Sequence, residues 1–268
     1  MSDFDHDGSE ASLVPARRRE LIAARLRAAG SVSVGELELE FGISPMTVRR
    51  DLDALERDGR ARRTHGGAVS PGLVAQEDSF ESRLTQSQAS KESLGRAARA
   101  LVEDGEAVFV DSSTTAYFAA QSLVVAGVRV TFLTNSVPVM ELVSRAESPQ
   151  AELIGLAGSL RKTTRSFVGP ATIEAIERHF ADKALFSVNG VAPGGILTEA
   201  DPLEAEVKRQ MVARSQCAIL LLDGSKLQRA GLSAIAEMKV VAKVLVAHAT
   251  PAQVEHLAGA GVEIEEVR

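Results

Sequence analysis

From Ser33 to Leu55 the chain is punctuated so closely that two short helices joined by a tight turn are the structure its local chemistry dictates. Ser33-Val34-Gly35-Glu36 is a capping box, in which Ser33 and Glu36 each satisfy a backbone amide of the other. Leu37 and Phe41 form an i, i+4 apolar pair, and Gly42 ends the helix as the residue that tolerates a left-handed cap. Ser44 caps a second helix whose first position is Pro45, where the missing N–H costs nothing. Val48, Leu52 and Leu55 repeat at the i, i+4, i+7 spacing of a buried stripe. Arg50 and Arg57 point away from that stripe, with Met46 and Asp53 beside them. A helix anchored by one face and basic on the other has the shape that enters a major groove.

The flanking residues extend the unit. A first helix, Ala16 to Ala29, brings Ile22, Leu26 and Ala29 to one face and closes a small core. After Gly59, the stretch Arg60 to Val69 reads as two short extended pieces around Gly66-Gly67, a basic hairpin wing. Residues 15–70 are therefore expected to form an α+β winged helix-turn-helix domain. Its candidate DNA contacts are Ser44, Met46, Thr47, Arg49, Arg50 and Arg57 on the second helix. Arg62, Arg63, His65, Gly66 and Gly67 are those of the wing. The competing reading is a plain helical hairpin with a solvated charged face. Capped second helix, outward arginines and basic wing together favour double-stranded DNA.

Charge is distributed to match. The chain carries a net charge of -6, but residues 1–14 hold four acids and no Lys or Arg. Residues 15–70 hold eleven Arg against eight acids, or +3, and the remainder nineteen bases against twenty-four acids, or -5. The basic excess thus falls on the segment with the groove-reading shape. An excess of that size makes one module a weak binder, so a homo-oligomer, dimer or tetramer, is expected to place several on repeated half-sites.

The remaining composition narrows the classes further. A length of 268 residues suits one small and one medium domain, and 45% hydrophobic residues are ample for a packed core. No apolar run is long enough to span a bilayer, and the acidic start is unlike a secretory signal. The expected compartment is the cytoplasm, with the single Cys217 a buried hydrophobe in an apolar strand. Five scattered histidines show no ligand spacing, so neither metal nor cofactor is expected. Residues 1–14 read as a disordered acidic tail, and 71–90, rich in Ser and Gln, as a linker with a bridging helix.

From residue 91 to 268 apolar runs alternate with helical stretches. Strands are expected at 107–111, 128–134, 152–157, 183–188, 217–223 and 243–248, with a weaker edge at 262–267. Helices are expected near 114–125, 137–146, 170–179, 202–214 and 251–259. Continuous apolar strands mean a parallel sheet covered on both faces, a Rossmann-like α/β domain whose ligands bind at the carboxyl ends of strands. Polar loops collect at those ends: Asp111-Ser112-Ser113-Thr114-Thr115, Thr134-Asn135-Ser136, Gly158-Ser159-Leu160-Arg161 and Asp223-Gly224-Ser225-Lys226. Hydroxyls beside free helix-start amides make an anion receptor, although each such loop could also be a plain cap. Glu204 and Lys208, one turn apart, read equally as a surface ion pair. Without a GxGxxG no dinucleotide is favoured; a polar, anionic small molecule is.

Residues 15–250 resemble the DeoR-type bacterial transcription regulators. The resemblance rests on Met46 to Leu52, His65-Gly66-Gly67-Ala68, Asp111 to Thr115, Thr134-Asn135-Ser136, Ser166-Phe167-Val168-Gly169 and Asp223-Gly224-Ser225-Lys226. It implies a sensor domain similar to ribose-phosphate isomerases that binds a phosphorylated sugar, and usually repression of carbohydrate uptake or catabolism genes. By position, Ser112, Ser113, Thr114 and Thr115 would hold the phosphate, and Asp111, Asn135, Lys208 and Lys226 would contact the sugar. The family commonly has glycine where this chain has Ser113, which either donates a hydroxyl or narrows the pocket. The alternative is an isomerase-like enzyme using Glu204, Asp223 and Lys226. Its Asp-Gly-Ala-Asp-Glu type signature is missing, and fold likeness alone carries no activity.

Overall fold

In the computed structural model, residues 14–29, 31–64, 66–69, 78–146, 150–259 and 261–267 are described. The acidic tail apart from Val14, the wing residue His65 and the linker at 70–77 lie outside them. The chain forms two units, Met1–Val74 and Ala75–Arg268.

The first unit is built on local caps. Helix α1 (Pro15–Ala29) is followed by strand β1 (Ser31–Ser33), then α2 (Val34–Phe41) and α3 (Pro45–Arg57). Ser33 Oγ accepts from the Glu36 amide at 3.1 Å, and Glu36 returns a carboxylate to the Ser33 amide at 2.9 Å. Gly42 turns the chain at φ 60°, and Ser44 Oγ caps α3 through the Thr47 amide at 3.3 Å. Val48, Leu52 and Leu55 are wholly buried against Ile22, Leu26 and Leu37. A buried ion pair, Arg18 to Asp51 at 2.6 Å, pins α1 to α3. The wing strands β2 (Arg62–Thr64) and β3 (Gly67–Val69) pair antiparallel. β1 adds a third strand to them, in the order β1-β3-β2, which pattern reading did not anticipate. Gly67 lies so close to that strand that a Cβ there would meet the Val32 carbonyl oxygen at 2.0 Å.

The second unit opens with α4 (Phe80–Thr85) and α5 (Gln88–Ala100), then alternates β4 (Glu106–Val110), α6 (Thr114–Val125), β5 (Val130–Thr134), α7 (Val137–Arg145) and β6 (Ala151–Gly155). A hairpin of β7 (Ser159–Arg161) and β8 (Ser166–Val168) precedes α8 (Pro170–Glu177) and β9 (Ala181–Phe186). Then come β10 (Gly190–Ala192), β11 (Ile196–Glu199), α9 (Pro202–Ala213), β12 (Ser215–Asp223), β13 (Ser233–Glu237), β14 (Lys243–Ala247), α10 (Pro251–Ala258) and β15 (Glu263–Val267). Every strand and helix expected beyond residue 100 is present to within about two residues. Seven strands form one parallel sheet in the order β15-β14-β12-β9-β4-β5-β6. Apolar clusters pack around it, as continuous apolar strands require. The small antiparallel sheet β10-β11-β13 and the β7–β8 hairpin are additions that periodicity did not reveal. Cys217 is half-buried beside the core rather than fully buried within it.

The order of strands places the site. From β4 the chain runs outward through β5 to β6, then returns to β9 on the other side of β4 and runs outward to β15. Between β4 and β9 the winding reverses, and the carboxyl ends flanking such a reversal splay open into a crevice. Asp111 directly follows one of these strands and Ser187 the other.

Candidate functional site

On α3 the exposed face carries Met46, Arg49, Arg50 and Arg57. The guanidinium groups of Arg49 and Arg50 have no hydrogen-bond partner among the described residues, whereas Arg57 Nε donates to the Asp53 carbonyl at 3.3 Å. Ser44 and Thr47 bond each other at 3.0 Å in the cap, at the end of the helix that would enter a groove first. Arg63 has a different task. It donates to Asp53 Oδ1 at 2.6 Å and to the Arg49 carbonyl at 2.9 Å, so it binds the wing to α3. Arg62 lies on β2, and Gly66 and Gly67 make the turn into β3.

In the second unit a cavity of about 130 Å³ opens at the β4–β9 reversal. Of the eight residues that sequence reading marked for it, Ser112, Ser113, Thr114, Lys208 and Lys226 line the wall. Asp111, Thr115 and Asn135 do not. Asp111 is fully buried behind the wall, where it accepts from Lys208 Nζ and from the Ser113 hydroxyl at 2.5 Å. Asn135 donates to the Phe167 carbonyl at 2.8 Å, and so ties β8 to the sheet edge. Thr115 is buried in the first turn of α6.

Glu204 and Lys208 are not a surface pair; both are buried, facing the same cavity. Lys208 Nζ donates to Asp111 and to the Ser187 carbonyl at 2.9 Å, and lies 3.3 Å from Glu199. Burial opposes its charge, but Asp111, Glu199 and Glu204 outweigh that and hold its pKa above the ordinary lysine range. Glu204 accepts hydroxyl protons from Ser112 at 2.8 Å, Thr164 at 2.7 Å and Ser166 at 2.5 Å. Ser113 spends its hydroxyl on Asp111 and on capping the Ala116 amide at 3.1 Å, so it adds no donor to the cavity.

A second group of cations consists of Arg83, from the segment read as linker and bridging helix, with Lys91 and Lys226. Arg83 on α4 lines the cavity, and its Nε and Nη2 are buried with no partner among the described residues. Lys91 on α5 donates to the carbonyls of Arg83 and Gln86, the latter at 2.6 Å, closing the corner between the two helices. Lys226 donates to Ser187 Oγ at 2.7 Å. Burial pushes both lysines down to about 8, with Arg83 adding to the effect on each. Desolvated cations that repel one another would be stabilised by an anion placed between them. Sequence reading missed Arg83 and Lys91 because neither follows a strand; their eight-residue spacing on a polar stretch was the available signal. Among the described residues no cluster of His, Cys, Asp and Glu could hold a metal ion.

Comparison with known proteins covers both units. A DeoR-like helix-turn-helix domain profile matches residues 18–72, and a DeoR C terminal sensor domain profile matches 86–247. The HTH-type transcriptional repressor GlcR of Bacillus subtilis (strain 168) is 35% identical over 74% of this chain and 75% of its own. The lactose phosphotransferase system repressor of Streptococcus mutans serotype c is 32% identical over 78% and 83%. Ribose 5-phosphate isomerase A from Methanocaldococcus jannaschii overlaps 52% of this chain and 54% of its own, at 16% identity and a TM-score of 0.39.

Proposed function

Because the chain belongs to the DeoR family of transcription regulators, we propose that it represses genes of carbohydrate uptake or catabolism and that a phosphorylated sugar, bound at the β4–β9 reversal, controls its grip on operator DNA. The cavity is a receptor and not a catalytic centre. Glu204, the base an isomerase would need, is consumed by three hydroxyl donors. The observation that carries the ligand reading is the set of desolvated cations on the wall, above all Arg83 with its two unpartnered nitrogens. Arg83, Lys91 and Lys226 take the phosphate together with Thr114 and the free amides that open α6.

At the DNA, Arg49, Arg50 and Arg57 with Met46 and Thr47 enter the major groove, while Arg62, His65, Gly66 and Gly67 run along the backbone. Arg63 serves by fixing the wing. A homo-oligomer in the cytoplasm sets the modules at half-site spacing. Occupancy of the cavity favours an arrangement that no longer fits, and a coupling of roughly 1–3 kcal/mol alters occupancy about 5- to 150-fold. No helix among the described residues is long and apolar enough to cross a membrane. The test is a thermal-shift screen against sugar phosphates followed by gel shifts on DNA upstream of the protein's own gene. A hit that raises the melting temperature and weakens the shift is expected. Indifference to promoter fragments at low ionic strength, with and without hits, refutes the reading.

A further inference from the structure

Apart from Thr114 at the start of α6, the hydroxyl groups around the cavity face the wrong way to bind a phosphate. A hydroxyl has one proton and two lone pairs, so once the proton is given inward the oxygen can only accept. Ser112 gives its proton to Glu204 at 2.8 Å, Ser113 to Asp111 at 2.5 Å and Ser187 to the Leu221 carbonyl at 2.6 Å. Thr164 and Ser166 sit 2.7 and 2.5 Å from the same Glu204 oxygen and 2.7 Å from each other. With the Glu204 oxygen as the charged acceptor, the two hydroxyl protons serve contacts within that triangle and neither is offered to the cavity. Glu204 is 2% exposed and orders Ser112, Thr164 and Ser166 from behind. What Ser112 shows the cavity is lone pairs, beside the carboxylates of Glu199 and Glu204, while Ser187 already accepts from Lys226 at 2.7 Å and keeps one lone pair.

We propose that Glu204 sets the hydrogen-bond polarity of this wall, making it a reader of ligand hydroxyl donors, so that the cavity selects a sugar carrying a single phosphate over a bisphosphate or bare phosphate. The cation group satisfies one anion. Lys208 on that wall has already turned its N–H groups to Asp111, Glu199 and the Ser187 carbonyl. A second phosphate there would therefore meet oxygen lone pairs and the carboxylates of Glu199 and Glu204, which repel it, whereas each sugar hydroxyl can donate to an oxygen already held in place. This rests on the cavity being the effector site. It adds which end of the ligand faces which wall, and the residue that decides it.

Isothermal titration of the full chain compares a panel of pentose and hexose monophosphates with fructose 1,6-bisphosphate and inorganic phosphate. The tightest monophosphate is expected to bind about tenfold or more tighter than either of the other two. In Glu204→Gln the amide N–H turns a hydroxyl round. Affinity for that monophosphate is expected to fall about tenfold while that for inorganic phosphate stays within about threefold. Ser112→Ala keeps the carboxylate and removes one acceptor, so it decides the matter if Glu204→Gln does not fold; a selective loss for the sugar is expected there too. A bisphosphate that binds as tightly as the best monophosphate overturns the proposal, as does an equal loss for sugar phosphate and inorganic phosphate, or no loss. If no phosphorylated compound binds the unaltered chain, the effector-site reading itself falls.

Discussion

Among the described residues the DNA-binding unit buries two charged side chains, Arg18 and Asp51, which hold each other at 2.6 Å. The sensor unit buries Lys91, Asp111, Glu199, Glu204, Lys208 and Asp223, all in or directly behind the wall of one cavity. In the first unit the outer charges of α3, among them Arg49, Arg50 and Arg57, are exposed to water. In the second, charge is held inside, where desolvation must be offset by pairing. The contrast separates two ways of recognising an anion. A polyanion larger than the domain is met by an exposed basic face, and a small anion is enclosed by groups that have already lost their water.

Breaking the interior arrangement should have the largest effect. Lys208→Met leaves Asp111 and Glu199 buried without their cation, and is expected to cost the sensor unit about 3–5 kcal/mol in chemical denaturation. Unchanged stability would mean that water replaces the ammonium. Arg50→Ala touches only the exterior. It is expected to weaken operator binding about 5- to 150-fold in a gel-shift titration while sugar-phosphate binding persists. Replacing Thr114 and Thr115 by phenylalanine is expected to abolish the effector response while operator binding persists; a normal response would refute the use of the α6 start.

A smaller effect sharpens the contrast through pH. Lys91 and Lys226 are held at about 8, below the 10.5 of the unfolded chain, so the unfolded state binds more protons between those values. Stability of the unliganded sensor unit is therefore expected to rise as pH climbs through that window. Affinity for a sugar phosphate is expected to fall over the same range, since the anion needs the protonated lysines. Titration calorimetry and thermal melts between pH 7 and about 10 check the opposed slopes. Operator affinity should lack this lysine-linked step, because arginine keeps its charge there.

Legibility followed the range of the interaction. The Ser33–Glu36 box, the Gly42 turn, the Ser44 cap and the Val48-Leu52-Leu55 stripe all involve partners within one or two helical turns, and each stands as read. The parallel strands announced themselves as apolar runs. Strands of three residues, such as β1, β7 and β10, carry no readable period and exist only because a partner strand is there. Asp111 looked like a ligand contact because it ends a strand, yet the neighbouring Lys208 claims it behind the wall. Arg83 looked like a linker residue, yet it faces the cavity.

The order of amino acids by itself determined the longer helices and parallel strands, their limits to within about two residues, and the division into a basic front and a sheet-built rear. Caps and hydrophobic period act between near neighbours in the chain. Only the tertiary structure decided which polar groups meet. Ser112 and Glu204 are 92 residues apart, and Asp111 and Lys208 97. Contacts that distant depend on strand order and on where the winding of the sheet reverses, which no local pattern encodes.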